Sequence, residues 1–200
     1  MAPSASSRGF WQHFYHKAHA LFPAALAGIN LDRFLLTVNH VQPSLIRVNA
    51  DEITYNLHIL VRFELERALI SGDLRAADLP DAWNAGYRRY LGIQPGNDAA
   101  GCLQDGHWAD GLIGYFPTYT LGDVFAAQLF ARAEAELGDL EEQFAQGEFA
   151  GLVAWLRRNV YREGGRHPSA TLIERITGSP PTHRPLLEAL RSKYSSLYRI

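Results

Sequence analysis

The first stretch whose residue types could carry chemistry reads Gly101-Cys-Leu-Gln-Asp-Gly-His-Trp108, and glycine and aromatic residues continue from it to Gly122. An imidazole such as His107 can donate a proton or a hydrogen bond near neutral pH. Tyr115 and Tyr119 can donate hydrogen bonds to a developing oxyanion. A packed turn with satisfied polar tips is the alternative interpretation, and composition alone leaves both open.

A second stretch, Ile46-Arg-Val-Asn-Ala-Asp-Glu52, combines a guanidinium with two carboxylates. Arg47 presents a planar fork that can bind a carboxylate through two parallel hydrogen bonds, and Asp51 could orient it. The simpler interpretation places Asp51 and Glu52 in the first turn of a helix, where negative charge complements the helix dipole. These residues taken alone favour the simpler interpretation.

A third stretch spaces His13, His16 and His19 three residues apart, so that their imidazoles lie along one side of a helix. Imidazoles suit zinc, copper or nickel. Zinc-binding helices usually offer two histidines four residues apart, however, and a solvated face is therefore favoured. The single cysteine, Cys102, excludes an internal disulfide and is expected to be a small buried hydrophobe.

Helices are expected to position these residues. The segment from Ala50 to Ile70 alternates apolar and polar residues like a strand, but it contains neither Gly nor Pro and is too long for an ordinary strand. Arg62 and Glu66 have the spacing of a helical i,i+4 ion pair, and Gly72 stands where a helix would end. We therefore predict one long helix there.

Caps, breaks and apolar spacing predict the remaining organisation. We expect a loop from Gly92 to Gly101 and an irregular segment from Leu103 to Leu121. The other predicted helices are Phe10 to about Pro23, Leu31 to Val38 capped by Asn30 or Asp32, one entered at Asp78, Gly122 to Leu137, Leu140 to Gln146, Phe149 to Arg162, one capped by Ser169 and ended by Gly178, and one from Pro185. Residues 1–7 are expected to be a disordered start or a remnant of cloning. The lack of repeats and linkers favours a single all-α domain over residues 8–200.

The balance of charges bounds the partners. The chain has 19 basic and 21 acidic residues, so no basic surplus exists to hold a phosphate backbone, and nucleic acid is not an expected partner. No apolar stretch approaches the roughly 20 residues that span a bilayer, and the first residues lack the apolar core of a signal peptide. We expect a cytoplasmic protein with no membrane partner.

Both chemistry-bearing stretches resemble motifs of one family. Ile46 to Asp51 resembles the IRxxAD motif of the carboxypeptidase Taq family of zinc metallocarboxypeptidases, and Gly101 to Trp108 resembles its GxxQDxHW motif. Gly114 to Gly122 resembles its GYFPTYxLG continuation, and the likeness runs from about Ser7 to Tyr198. The resemblance implies an all-helical, HExxH-type peptidase fold, usually a homodimer, that removes single residues from peptide C-termini. A zinc-bound water would attack the carbonyl, with the glutamate of HExxH as general base.

The chain departs from this family in lacking HExxH and the HES-type motif that brings the third zinc ligand, both of which lie N-terminal in the family. It therefore resembles the C-terminal part only, and no zinc ligand is assigned and no cofactor is expected on this chain. His107, with Tyr115 or Tyr119, is implied as the catalytic stabiliser of the tetrahedral intermediate. The implied substrate-binding residues are Arg47, which docks the carboxylate or braces the cleft, Asp51, Gln104, Asp105 and Trp108.

Two functions remain open at this point. The chain is the C-terminal region of a zinc carboxypeptidase and is inactive alone, or it is a natural non-catalytic remnant that binds peptide C-termini or a partner subunit. In either case apolar surface that the family packs against its N-terminal half favours self-association, and a homodimer is expected.

Overall fold

The computed structural model describes residues 7–200, in which helices are joined by turns and loops and no β-strand occurs. The all-α prediction is confirmed for this part of the chain. The α-helices are α1 (Arg8–Leu21), α2 (Leu31–Val38), α3 (Tyr55–Ser71), α4 (Leu79–Leu91), α5 (Pro117–Leu137), α6 (Leu140–Ala145), α7 (Ala150–Leu156), α8 (Ser169–Thr177) and α9 (Arg184–Tyr198).

The predicted disordered start falls mostly on residues 1–6, which lie outside the described residues. Ser7 instead caps α1, because its hydroxyl accepts a hydrogen bond from the backbone N–H of Phe10 at 3.3 Å. Asn30 caps α2 in the same way, through the N–H of Arg33, so the first of the two predicted caps is the one used.

Two compact units make up the described chain. One consists of residues 7–39 together with Asp123–Ile200, and the other of His40–Gly122. The boundary falls within α5. The single domain that the absence of a linker favours stays a prediction.

The first unit packs α1 against α6. Gly9 is required at this contact: its N–H donates to Glu141 Oε2 at 2.7 Å, and a Cβ there would collide with the carbonyl oxygen of the same residue. The core of this unit comprises Ala133, Leu140, Phe144 and Trp155.

Two helix predictions in the first unit differ from the structure. The helix predicted from Phe149 to Arg162 consists of α7 followed by one π-helical turn, Arg157–Tyr161. Ser169 is the first residue of α8 rather than its cap, and Pro168 takes the cap position.

The second unit packs α3 against α4 around a core of Val61, Leu65, Trp83, Tyr87, Leu91 and Cys102. The long helix predicted after Ala50 is confirmed, although it begins at Tyr55; Gly72, at φ 82°, ends it in the left-handed conformation that glycine adopts without strain. Burial raises the pKa of the Cys102 thiol, which agrees with a packing residue rather than a nucleophile.

The irregular segment is shorter than predicted. Leu103 to Phe116 has no regular helix, but α5 already begins at Pro117, so the prediction is wrong for residues 117–121. Proline suits a first helical turn because the N–H it lacks has no helical partner there. Tyr119 therefore stands on a helix, while His107 and Tyr115 stand on the loop before it.

No helix within residues 7–200 has both the length and the apolar character needed to cross a membrane.

Candidate active site

Asp51 builds the turn that leads into α3. Its Oδ1 accepts hydrogen bonds from the backbone N–H groups of Ile53 and Thr54, both at 2.9 Å. Its Oδ2 accepts from the Thr54 hydroxyl at 2.7 Å and from the Gln42 N–H at 3.1 Å. These contacts favour the helix-entry interpretation of Asp51, and the carboxylate that orients Arg47 is a different one.

That carboxylate belongs to Asp105. Arg47, in a 3₁₀ turn just before α3, places Nε 2.7 Å from Asp105 Oδ2 and Nη2 3.4 Å from Oδ1. Arg62, on α3, places Nε 3.0 Å from the same Oδ2. The side chains of Arg47, Arg62 and Asp105 are 8%, 0% and 10% exposed, so the three charges are held largely away from water.

The two arginines keep Asp105 ionised. Burial by itself would raise the pKa of this carboxyl. The hydrogen bond from Arg47, the charge of Arg62 and the hydrogen bond from His107 outweigh burial and lower the pKa to about 2. Asp105 is therefore an anion, and an acceptor only, near neutral pH.

His107 connects the largely buried Asp105 carboxylate to a partly exposed phenol. Its Nδ1 lies 2.6 Å from Asp105 Oδ1, and its Nε2 lies 3.0 Å from the Tyr119 hydroxyl oxygen. Because the ionised Asp105 only accepts, Nδ1 carries a proton. In neutral His107 the remaining nitrogen, Nε2, then accepts a hydrogen bond from Tyr119.

Aromatic rings fix the same groups from the sides. The Phe116 ring lies 4.6 Å from the His107 ring, centroid to centroid. The Tyr119 ring lies 5.0 Å from the guanidinium carbon of Arg47, a distance suited to a cation–π contact. Tyr55 accepts a hydrogen bond from Arg47 Nη1 at 3.1 Å, so each nitrogen of that guanidinium is engaged within the site.

Gln104 and Trp108 bond to the protein itself. Gln104 Nε2 donates to the Leu45 carbonyl at 2.9 Å and its Oε1 accepts from the Arg47 N–H at 3.3 Å, which ties the two motif stretches together. Trp108 Nε1 donates to Glu66 Oε1 at 3.1 Å, and the N–H of Gly114 donates to the same oxygen at 2.7 Å. Glu66 thus holds the loop that carries His107 at two points, Trp108 and Gly114.

The two candidate tyrosines differ. Tyr119 bonds directly to His107, whereas Tyr115 is 44% exposed, with its ring centroid 5.6 Å from that of His107. Of the residues singled out from sequence, the structure brings Arg47, Gln104, Asp105, His107 and Tyr119 into one hydrogen-bonded cluster, with Trp108 and Tyr115 on its loop; Asp51 stands outside the cluster, at the entry to α3.

Sequence analysis missed the buried polar face of α3. His58, Arg62 and Glu66 recur every fourth residue, and all three are buried. The spacing of Arg62 and Glu66 predicted a pair on one helix, but Arg62 bonds to Asp105 and Glu66 to Trp108 and Gly114. The available signal was the spacing of three polar residues at intervals of four, which places them on one face of α3.

The zinc implied by the family resemblance has no fitting site in this part of the chain. Among residues 7–200 no group of three or more His, Cys, Asp or Glu side chains is placed to hold a metal ion. The His13 and His16 ring centroids are 6.4 Å apart, and the His13 ring packs edge-on against Phe14. The three-imidazole hypothesis for His13, His16 and His19 thus gains no support.

Comparison with known proteins agrees with the two motif stretches. A family model for carboxypeptidase Taq (M32) metallopeptidases matches residues 4–194. Thermostable carboxypeptidase 1 of Thermus thermophilus is 53% identical over 192 residues, which are 96% of this chain and 38% of that protein. Carboxypeptidase 1 of Bacillus subtilis is 42% identical over the same shares.

A solved structure extends the likeness to three dimensions. The crystal structure of an M32 carboxypeptidase from Deinococcus radiodurans matches with a TM-score of 0.95 and 46% identity, covering 98% of this chain and 40% of that one. The chain thus spans 38% of the length of the two curated relatives. A match of this strength along almost the whole chain shows that it belongs to the carboxypeptidase Taq (M32) family of metallopeptidases.

Proposed function

We propose that this chain forms the substrate-facing part of a zinc metallocarboxypeptidase that removes residues from peptide C-termini. The observation that carries the proposal is the continuous set of hydrogen bonds from Asp105 through His107 to Tyr119. It joins a largely buried anion to a partly exposed phenol, and an imidazole held in this way can place a proton. Neither the zinc ligands nor the general base that would activate water are assigned among the described residues, so this chain is expected to be inactive alone.

Tyr119 is the hydrogen-bond donor that the geometry favours. While His107 is neutral, the Tyr119 O–H points to Nε2. When His107 is protonated, Nε2–H donates to the phenol oxygen instead, and the Tyr119 O–H is released to donate to the oxyanion that forms at the substrate carbonyl. Asp105 stabilises the imidazolium in that state. Tyr115 is the second candidate donor.

Arg47 is proposed to brace the cleft rather than to dock the substrate carboxylate. Its guanidinium is engaged by Asp105 and Tyr55, and the residue is 6% exposed. Binding a substrate carboxylate would require breaking these contacts in a largely dry site, which is costly. Asp51, Gln104 and Trp108 are proposed to shape the binding wall through the backbone groups and loops that they hold.

A chimaera tests this function. In it, the chain replaces the matching segment of the Thermus thermophilus enzyme. We expect release of C-terminal residues from peptides, loss of release on chelation, and no release by the chain alone. A chimaera that folds and binds zinc but releases nothing contradicts the proposal.

The non-catalytic alternative makes a different prediction for the chain alone. A remnant that captures peptide C-termini binds a peptide with a free carboxylate more tightly than the same peptide as its amide. Calorimetry with this peptide pair decides it. Equal affinities, together with an active chimaera, exclude the alternative of carboxylate capture.

Assembly and location remain proposals as well. We propose a homodimer, checked by light scattering during size-exclusion chromatography, and a cytoplasmic location, checked by fractionation of source cells. An unfolding temperature that rises with protein concentration would support the dimer.

A further inference from the structure

A phenol lies at the centre of the buried polar face of the second unit. Tyr87, on α4, is 0% exposed, and its hydroxyl oxygen lies 3.1 Å from the Leu45 carbonyl oxygen, 3.3 Å from Arg62 Nη1 and 3.1 Å from His58 Nδ1. Burial raises the pKa of this phenol, so the hydroxyl keeps its proton. Three segments of the chain therefore meet at one oxygen atom.

Only one arrangement of protons satisfies this oxygen. Its single O–H donates to the Leu45 carbonyl, which can only accept, and Arg62 can only donate to the oxygen. His58 then donates from Nδ1, which fixes its tautomer. Burial, together with the charges of Arg62 and Arg47, lowers the pKa of His58 to about 4, so Nε2 carries no proton near neutral pH. Within residues 7–200 this Nε2 has no hydrogen-bond partner.

Arg62 carries the constraint from Tyr87 to Asp105. Its Nη1 donates to Tyr87 and, at 3.0 Å, to the His58 carbonyl, while its Nε donates to Asp105. The guanidinium carbon lies 4.6 Å from the centre of the Trp83 ring and 5.4 Å from that of Phe116. A planar group held along its edges and against rings has one orientation. In that orientation Arg62 Nε bonds to Oδ2 of Asp105 and leaves Oδ1 for His107.

We propose that Tyr87 is a positioning residue: through Arg62 and Asp105 it fixes the imidazole of His107, although it touches neither His107 nor the expected substrate. A catalytic effect of Tyr87 rests on the proposed function, whereas its positioning of the His107 ring does not. The Tyr87 hydroxyl is one atom, and Tyr87→Phe removes it while leaving the ring in the core. The Leu45 carbonyl keeps its bond from Gln104, so the variant is expected to fold.

The chain offers a matched control on the same helix. Tyr90 also stands on α4 and also uses its hydroxyl, which donates to Glu64 Oε1 at 2.6 Å on the exposed side. Tyr90→Phe therefore deletes the same atom without touching the buried network. His13 and His167, in the other unit, serve as internal references in every spectrum.

Nitrogen-15 NMR of the full chain with labelled histidine tests the geometric statement. In the wild type and in Tyr90→Phe we expect the same ring shifts for His107, with a slowly exchanging Nδ1–H. In Tyr87→Phe the His107 ring shifts should move and that proton should exchange faster, while the reference histidines stay in place. A folded Tyr87→Phe protein whose His107 signals match those of Tyr90→Phe overturns the proposal.

A second variant and a kinetic measurement complete the test. If Tyr87→Phe fails to fold, Arg62→Lys keeps the positive charge but removes the planar guanidinium that joins Tyr87 to Asp105, and unmoved His107 signals in the folded Arg62→Lys protein overturn the proposal equally. In the active chimaera, Tyr87→Phe should lower kcat about tenfold with little change in KM, because orientation of a transition-state donor is lost. Moved His107 signals beside an inactive unmutated chimaera would refute the proposed function and leave the positioning intact.

Discussion

Asp105 Oδ1 and His107 Nδ1 are 2.6 Å apart, and the other oxygen of the same carboxylate accepts from two arginines. One oxygen therefore balances buried positive charge while the other orients an imidazole. The His107 ring is held so that Nε2 points at Tyr119. Asp105 thus both balances the buried arginines and orients the imidazole of His107.

Replacing Asp105 by asparagine should destabilise the chain strongly. Asp105→Asn keeps the shape but removes the charge, which leaves Arg47 and Arg62 buried without their anion. Breaking a buried ion pair in this way costs about 3–5 kcal/mol. Urea unfolding measures the loss, with Asp81→Asn on the exposed face of α4 as the control. Equal free energies of unfolding for the two variants would refute the buried-network description.

Acid should destabilise the chain in two stages. His58 has a folded pKa of about 4 against an ordinary 6.5, so the unfolded chain takes up its proton first and stability falls as the pH drops from 6.5 to about 4. The full difference is about 3 kcal/mol. Asp105, whose pKa is lowered from 3.8 to about 2, extends the loss through the next window. Stability from both groups is complete above pH 6.5.

Unfolding curves across this pH range test the two stages. His58→Leu should flatten the decline between pH 6.5 and 4 and leave the loss below pH 4, which Asp105 causes. A decline above pH 4 that is the same in the variant and in the wild type would show that another group is responsible.

Asp51→Ala should weaken the entry to α3 more than it weakens catalysis. The variant loses the acceptor for the N–H groups of Ile53 and Thr54, and losses of this kind cost about 1–2 kcal/mol. In the chimaera we expect kcat/KM to stay close to the wild-type value at temperatures where the variant is folded. A large rise in KM at unchanged stability would restore Asp51 as a substrate-binding residue.

Glu66 should control the order of the loop that carries His107. Glu66→Leu deletes the acceptor of both Trp108 and Gly114, whereas Glu66→Gln retains an oxygen at that position. Hydrogen exchange at the Gly114 amide should be slow in the wild type, moderately faster in Glu66→Gln and fast in Glu66→Leu. Equal protection in all three proteins would mean that the loop is held by other contacts.

Patterns in the sequence predict the helices better than they predict the contacts between helices. The length of the segment after Ala50 correctly predicts α3, since few strands run so far without Gly or Pro. Its apolar–polar alternation arises because His58, Arg62 and Glu66 are polar but buried, and a periodicity analysis treats such residues as exposed. The start of α5 was missed because glycine and aromatic residues surround Pro117, and these types carry little helical signal.

The sequence identifies the residues of the site but not the contacts between them. His107 and Tyr119 stand out by type, and their family motifs mark them, but Arg47 and Asp105 are 58 residues apart, and no local rule predicts their pairing. Arg62 and Tyr87 carry no motif and resemble ordinary helix residues. Their importance lies in burial and hydrogen bonding, which only packing of α3 against α4 creates.

Tyr119→Phe and Tyr115→Phe in the chimaera distinguish the two candidate oxyanion donors. Each variant deletes one phenol oxygen, and the two tyrosines are four residues apart, but only Tyr119 bonds to His107. Because loss of one oxyanion donor costs about 10²–10³ in rate, we predict a fall in kcat of that size for Tyr119→Phe and a much smaller one for Tyr115→Phe. A large loss in Tyr115→Phe with near-normal activity in Tyr119→Phe would contradict the account, because the set of hydrogen bonds through His107 would then end at a residue that the reaction does not use.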